Sequence, residues 1–266
     1  MTNLPFLIRE PEADYHAARK TNLTASALRD FRRCPLLYRK KQTGEIVDED
    51  RPSYAIGRAA HKLILEGETA YQETYAVGGP INPKTGVSYG SSTKKYAEWL
   101  QEQGRPAVTH EEDALVRHLA DSVHGHPLVG DLLAEGQAEG VVRVEYQGIE
   151  CQGRIDYYDT EHGIIDLKTC SDLDGFEYDA RKYGYAYQVG FYDALIMAKA
   201  DRTMGVHIIA VEKKEPYRCG VWELTPELLD WACARNESAM EELKKCQAEN
   251  HWPTGFEDLR IIGFEN

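Results

Sequence analysis

The segment from Gly153 to Thr169 constrains the fold of this chain more than any other. Gly153 to Asp159 forms one β-rich run, Gly163 to Thr169 a second, and the polar Thr160-Glu161-His162 lies between them. That is the pattern of a β-hairpin. On the second strand, alternation with a period of two puts Asp166 and Lys168 on one face and Ile165 and Leu167 on the other. On the first strand, Asp156 shares a face with Arg154. If Asp159 pairs with Gly163 across a three-residue loop, Asp156 falls opposite Asp166, with Cβ atoms about 4.5–5.5 Å apart. Two carboxylates so placed repel each other. A divalent cation between them reverses the sign, because hard cations take carboxylate oxygens. Lys168, one pleat further on, then reaches a bound water or a phosphate. A shifted register, with a bulged turn at His162-Gly163, would remove the direct opposition.

An Asp-x-Lys on a strand is by itself more often a solvated surface than a site. Here apolar Ile164, Ile165 and Leu167 flank it, and Asp156 lies upstream at hairpin distance. The spacing Asp156 … Asp166-Leu167-Lys168 resembles the core motif of the PD-(D/E)XK nucleases.

Composition bounds the possibilities. With 266 residues the chain is long enough for one large domain or two small ones. Hydrophobic residues at 42% and charged ones at 28% mark a globular protein rather than a disordered one. No apolar run approaches the roughly 20 residues that span a bilayer. Met1 to Glu10, with only Leu4 to Ile8 apolar, does not read as a signal peptide. Six cysteines without CxxC spacing point to reduced thiols in a cytoplasm. A net charge of −13 argues against adhesion to nucleic acid through bulk charge. It leaves room for local basic surfaces. From Arg19 to Lys41 there are eight Lys/Arg and one acid, Asp30. That cluster is either a solvated helix face or a contact for phosphates, with Ser26, Arg29, Arg32 and Arg33 as the candidate DNA-binding residues, joined by Arg154 from the hairpin.

Along the chain, residues 1–22 read as an irregular arm. Thr24 or Ser26 caps a helix toward Cys34, and Pro35 restarts it. Residues 45–52 read as an acidic loop. A second helix is expected from Tyr54 to Leu65, ending before Gly67, with Ile56, Ala59, Ala60, Leu63 and Ile64 as its apolar stripe. His61 lies at the stripe's edge, as a satisfied core histidine or as a group completing a metal site. A long Gly/Pro/Ser-rich loop covers 78–92, and a short helix follows over 93–103. Thr109 and Glu112 form a capping box, and Pro127 starts a further short helix stopped by Gly136. Strands are expected over 141–146, 149–158 and 164–169. A helix follows over 178–200, carrying Gln188 and Tyr192 on one face. A hairpin over 204–224 and a last helix capped by Thr225 complete the order. That order predicts an α/β (α+β) fold with a central mixed sheet flanked by helices and a helical N-terminal half.

Further motifs resemble the RecE (exonuclease VIII) family along nearly the whole chain. They are Tyr15-His16, Leu23 to Leu28 with Cys34-Pro35, Ile56 to His61 with Leu65-Glu66, Glu139, Gly153 to Asp156, Asp166 to Thr169, Tyr183-Gly184-Tyr185 with Gln188 and Tyr192, and Trp252-Pro253. The resemblance implies one restriction-endonuclease-like PD-(D/E)XK exonuclease domain over 1–266, divided into a mainly helical part (1–135), the nuclease core (136–250) and a tail (251–266). It implies 5′→3′ digestion of linear double-stranded DNA, leaving 3′ single strands for a single-strand annealing protein, by a ring-shaped homo-oligomer. It assigns metal binding to His61, Asp156, Asp166 and the Leu167 carbonyl, with magnesium as cofactor, manganese as substitute and two ions per site. Lys168 would orient or activate the attacking water, Gln188 and Tyr192 would hold the substrate strand near the metals, and Glu139 would support the site or stand behind the metal ligands. Asp166 stands where Glu is more common before x-Lys in PD-(D/E)XK motifs, a departure that fits the RecE and RecB branch.

Two alternatives stand beside it. One is an iron–sulfur nuclease of the CRISPR-adaptation or AddB type, which needs Cys34, Cys219, Cys233 and Cys246 to meet, although the last three lack the tight spacing of such clusters. The other is a DNA-binding protein with a decayed core.

Overall fold

A computed structural model describes residues 4–48, 52–202 and 204–262. Ten helices and seven strands are formed by these residues. The helices are α1 (Glu12–Ala18), α2 (Ala25–Arg33), α3 (Pro35–Gln42), α4 (Pro52–Thr74), α5 (Lys94–Gln103), α6 (His110–His124), α7 (Val129–Leu132), α8 (Phe176–Tyr183), α9 (Tyr185–Ala200) and α10 (Pro226–Glu249). A two-residue parallel pair, β1 (Ala76–Val77) and β2 (Ala107–Val108), stands apart. The central sheet has the order β3 (Gly136–Tyr146), β4 (Ile149–Asp159), β5 (Gly163–Cys170), β6 (Val206–Glu212) and β7 (Cys219–Glu223). Only β5 and β6 run parallel, because α8 and α9 carry the chain back between them.

Local chemistry sets the helix starts. The hydroxyls of Thr24, Thr93, Thr109 and Thr225 each accept from a backbone N–H of the first turn, and Glu112 completes a capping box with Thr109. Both faces of the sheet are covered. Ile164, Ile208 and Ala210 pack with Leu28, Phe191, Leu195 and Met240 of α2, α9 and α10. Ile165, Leu167, Ile209 and Val211 pack with Ala59, Ala60, Leu63, Val116 and Leu119 of α4 and α6. Strands buried on both sides explain the unbroken apolar runs around Asp166.

Two expectations need correction. The arm before residue 22 is not irregular. Ile8 exchanges backbone hydrogen bonds of 2.8 and 2.9 Å with Val141, and Leu23 does the same with Glu150 and Gln152 at 2.8 and 2.9 Å. Leu4, Phe6 and Leu7 are buried, and Phe6 meets the Tyr158 ring edge-on. The cause lies in the sheet. β3 is an edge strand, and β4 pairs with β5 over only its last three residues, so both leave backbone groups that need partners. The helix expected over 178–200 is two: Gly184, at φ +72°, divides it into α8 and α9. Gly67 does end the second expected helix, at φ +86°, and a further helical stretch within α4 then runs to Thr74, where Tyr71 is fully buried with its hydroxyl on Asp113 at 2.9 Å. Of the acidic loop expected over 45–52, residues 49–51 lie outside the described residues.

Candidate active site

The site lies at the fork where β4 and β5 part. The two strands pair through Asp159↔Gly163, Tyr158↔Ile164 and Tyr157↔Ile165, the register expected from the hairpin, and then stop. The next row in that register is Asp156 against Asp166. In place of a ladder bond, the N–H of Leu167 donates to Oδ2 of Asp156 at 2.8 Å. The ladder between β3 and β4 skips the same row. It runs through Ala138↔Tyr157 and Gly140↔Ile155 and omits Glu139 opposite Asp156. Glu139 has φ +54°, a left-handed conformation that costs a side-chain-bearing residue about 1–3 kcal/mol. Strand alternation slips here as well, since Ile155 packs in one core and Tyr157, two residues on, in the other. Glu139, Asp156 and Asp166 thus stand abreast on three neighbouring strands.

α4 brings His61 to this row. Its apolar stripe seats Ala59, Ala60, Leu63 and Ile64 against the sheet, which turns Gly57, Arg58, His61 and Lys62 toward the cavity. Nδ1 of His61 lies 3.6 Å from Oδ2 of Asp156. His61, Glu139 and Asp156 each place one ligand atom within 4.8 Å of the others, the only such group among the described residues. Burial lowers the His61 pKa against the pull of Asp156, which keeps the imidazole neutral and its lone pair available. Burial, reinforced by Asp156, pushes Glu139 up to about 8 even though Arg154 pairs with it at 2.5 Å. Burial raises Asp166 to about 6, with Lys168 opposing and Asp156 adding to the shift. Both shifts favour the protonated carboxyl, so a bound cation would compete with protons for this buried row. One imidazole among carboxylate oxygens is a donor set for magnesium or manganese.

The structure brings the sequence's candidates together with a different division of labour. Asp166 does not join the converged ligand atoms. Its Oδ2 abuts the Lys168 ammonium, and its Oδ1 accepts from Gln188 at 3.2 Å. Glu139, expected only as support, is in the converged group. The backbone of Leu167 touches both Asp156 and His61. Gln188 also donates to the Tyr192 hydroxyl at 3.3 Å. Tyr192 is buried against Gly153, where a Cβ would come within 2.7 Å of the ring. Burial works to lower the pKa of Lys168, but Asp166 and Asp156 outweigh it and raise the value, so Nζ stays protonated.

Two cavities meet at the row. One, of about 1280 Å³, opens between α4, β5 and α8. The other, of about 290 Å³, lies between α1, α2 and α9 and is lined by Ser26, Arg29 and Arg32. Arg29, Glu139, Arg154, Asp156 and Tyr183 border both. The basic run of α2 and α3 is split by its partners. Arg32 bonds to Asn236 and lies 4.1 Å from the Tyr187 ring centroid, and burial lowers its pKa to about 10. Lys41 pairs with Asp30 at 2.8 Å and with Asp48 at 2.5 Å, while Arg33 is exposed and borders neither cavity. Arg58 and Lys62 line the larger cavity and were missed in the sequence. Their spacing from His61 on one helix was the available signal.

The iron–sulfur alternative loses its ligands. Cys233 and Cys246 both lie on α10, thirteen residues apart, which is about 20 Å at 1.5 Å per residue. Cys34 caps α3 instead, accepting from the Leu37 N–H at 3.4 Å.

Residues 24–262 match the profile of a PDDEXK-like domain of unknown function (DUF3799). The fold is similar to the crystal structure of a "Putative exonuclease" from Eubacterium rectale, with a TM-score of 0.70 at 13% identity over 96% of this chain and 95% of that one. No curated protein matches the chain. Among the described residues, no helix is long and apolar enough to cross a membrane.

Proposed function

The chain belongs to that PDDEXK-like family, and on this premise we propose that it is a divalent-metal-dependent exodeoxyribonuclease acting on linear double-stranded DNA. The observation that carries the reading is the row Glu139–Asp156–Asp166, met by His61 on one side and Lys168 on the other.

His61, Glu139 and Asp156 would hold the metal, with Asp166 and the Leu167 carbonyl completing a set for up to two ions. Magnesium, or manganese in its place, would supply Lewis acidity and a lowered water pKa. The remaining work falls to side chains. Hydrolysis needs water to attack phosphorus while the bond to the leaving oxygen breaks. Nζ of Lys168, positioned by its contact with Asp166, donates to the attacking water or to a phosphate oxygen. Gln188 fixes Asp166 and, with Tyr192, borders the path of the substrate strand. Arg29 and Arg154 supply local positive charge for phosphates where the two cavities join.

The RecE-like part of the reading extends further, to 5′→3′ polarity, 3′ single-stranded products, a single-strand annealing partner, a ring-shaped homo-oligomer and a cytoplasmic site of action. The motif order from Tyr15 to Trp252-Pro253 supports it. A time course with magnesium on linear duplex labelled at one 5′ end, with a closed circle as control, tests the reading. Early release of labelled mononucleotide from the linear form alone is expected. Cleavage of the circle at the same rate would make the enzyme an endonuclease. Intact DNA in both arms would leave a binding protein with a decayed core.

A further inference from the structure

We propose that Tyr183, which borders both cavities, and the more exposed Tyr178, linked to it through Lys182, form a stacking platform for unpaired nucleobases, which makes the strand reaching the carboxylate row an unpaired one. The proposal rests on the nuclease reading and adds the state of the substrate to it.

A continuous path leads from the row to solvent. The Lys168 ammonium, held by Asp166, lies 5.2 Å from the Tyr185 ring centroid. The Tyr185 and Tyr183 rings are 6.1 Å apart and tilted by 32°. Nζ of Lys182 lies 5.4 Å from the Tyr183 ring and 6.0 Å from the Tyr178 ring. Exposure rises outward, to 49% at Tyr183 and 66% at Tyr178, while Tyr185 is partly buried. Tyr183 borders both cavities. Gly184, in the left-handed region at φ +72°, ends α8 directly after Tyr183 and starts α9, which leads to Gln188.

The chemistry selects the occupant. A duplex presents phosphates and groove edges to a protein, and its base faces are already stacked. An exposed tyrosine face gains little from it. A strand with free bases offers π faces to stack on, and its phosphates suit an intervening lysine. Continuity with the Lys168–Asp166 pair places these bases next to the proposed reaction centre.

The test is equilibrium binding of the full chain in EDTA, where cleavage is off, to two labelled oligonucleotides. One is a single strand and the other has the same backbone with abasic sites at its terminal positions. The wild type is expected to prefer the base-bearing strand. Tyr183→Ala should weaken that binding by about 5- to 150-fold, the range for losing one stacked base, and leave the abasic strand unaffected. Tyr178→Ala should act in the same direction, and Tyr183→Phe should retain the preference. Equal affinities of the wild type for the two strands would overturn the proposal, as would a Tyr183→Ala loss shared equally by both. Absence of binding to either strand would also overturn it and leave this face to a protein partner. A base preference in a chain that never cleaves linear duplex with magnesium would sink the nuclease reading alone.

Discussion

Leu167 donates its backbone N–H to Asp156 across the row where the β4–β5 ladder has already ended. One carboxylate thus serves the fold and the proposed chemistry together. Removing its charge and removing its oxygen should have different consequences. Asp156→Asn keeps an acceptor and relieves repulsion from Glu139 and Asp166, so the metal-free variant should melt at or above the wild-type temperature. Asp156→Ala orphans the Leu167 N–H and should cost about 1–3 kcal/mol. At about 2–4 °C per kcal/mol for a chain of this size, thermal melts in EDTA resolve the two. Neither variant should cleave DNA. Equal melting of both would mean that the hydrogen bond contributes nothing.

Lys168 is predicted to act in the chemical step. Lys168→Ala should lower kcat by about 10²–10⁴-fold, the range for positioned proton-transfer and hydrogen-bonding groups. Metal affinity by calorimetry should stay within a few-fold, because Nζ contacts Asp166 and not the His61–Glu139–Asp156 group. Loss of metal binding together with activity would make Lys168 a structural partner of the carboxylates instead.

The arginines of α2 should separate by environment. Arg29 lines both cavities, so Arg29→Ala should reduce the slope of log affinity against log salt by about 0.9 on duplex DNA. Arg33→Ala, on the exposed side, should leave that slope alone. Arg32→Ala should lower the melting temperature, since Arg32 links α2 to Tyr187 and Asn236. Equal slopes for wild type and Arg29→Ala would take α2 off the DNA path.

Much of this was legible in the sequence, and the exceptions have physical causes. The Asp159↔Gly163 register followed from the loop length and placed Asp156 against Asp166. The threonine caps and the α4 stripe are local signals, and they appear where expected. The family resemblance named Glu139 as support, but its convergence with His61 and Asp156 was not legible in the residue pattern, because it depends on a positive φ and a slip in alternation that no periodic pattern announces. The sheet pairing of Ile8 and Leu23 depends on edges that become visible only once β4 and β5 diverge. Burial of Arg32 is likewise tertiary, since its partners lie more than 150 residues away in sequence.

A carboxylate outside the site gives a pH prediction. Burial, helped by the nearby Asp230, raises Asp193 of α9 to about 6. A folded acid with a raised pKa holds its proton more tightly than the unfolded chain does, so its contribution is full below about 3.9, the ordinary aspartate value, and is lost as pH rises through about 6. Asp193→Asn should therefore stabilise the protein above pH 7. Because the group is partly exposed, the gain should be about 1 kcal/mol, or about 2–4 °C. It should vanish below about pH 4. A gain independent of pH between 4 and 8 would refute the assignment.

The central claim is that the row on β3, β4 and β5, with His61, holds the metal on which cleavage depends. Manganese titration followed by electron paramagnetic resonance, with cleavage of linear duplex measured in the same samples, tests it most directly. The wild type should bind manganese and cleave in proportion to its occupancy. Asp156→Asn and His61→Ala should each lose at least about tenfold in affinity, since losing even an outer partner of a metal ligand costs about 10–100-fold, and should lose cleavage with it. Manganese affinity unchanged in both variants, or cleavage that persists in excess EDTA, would contradict the account.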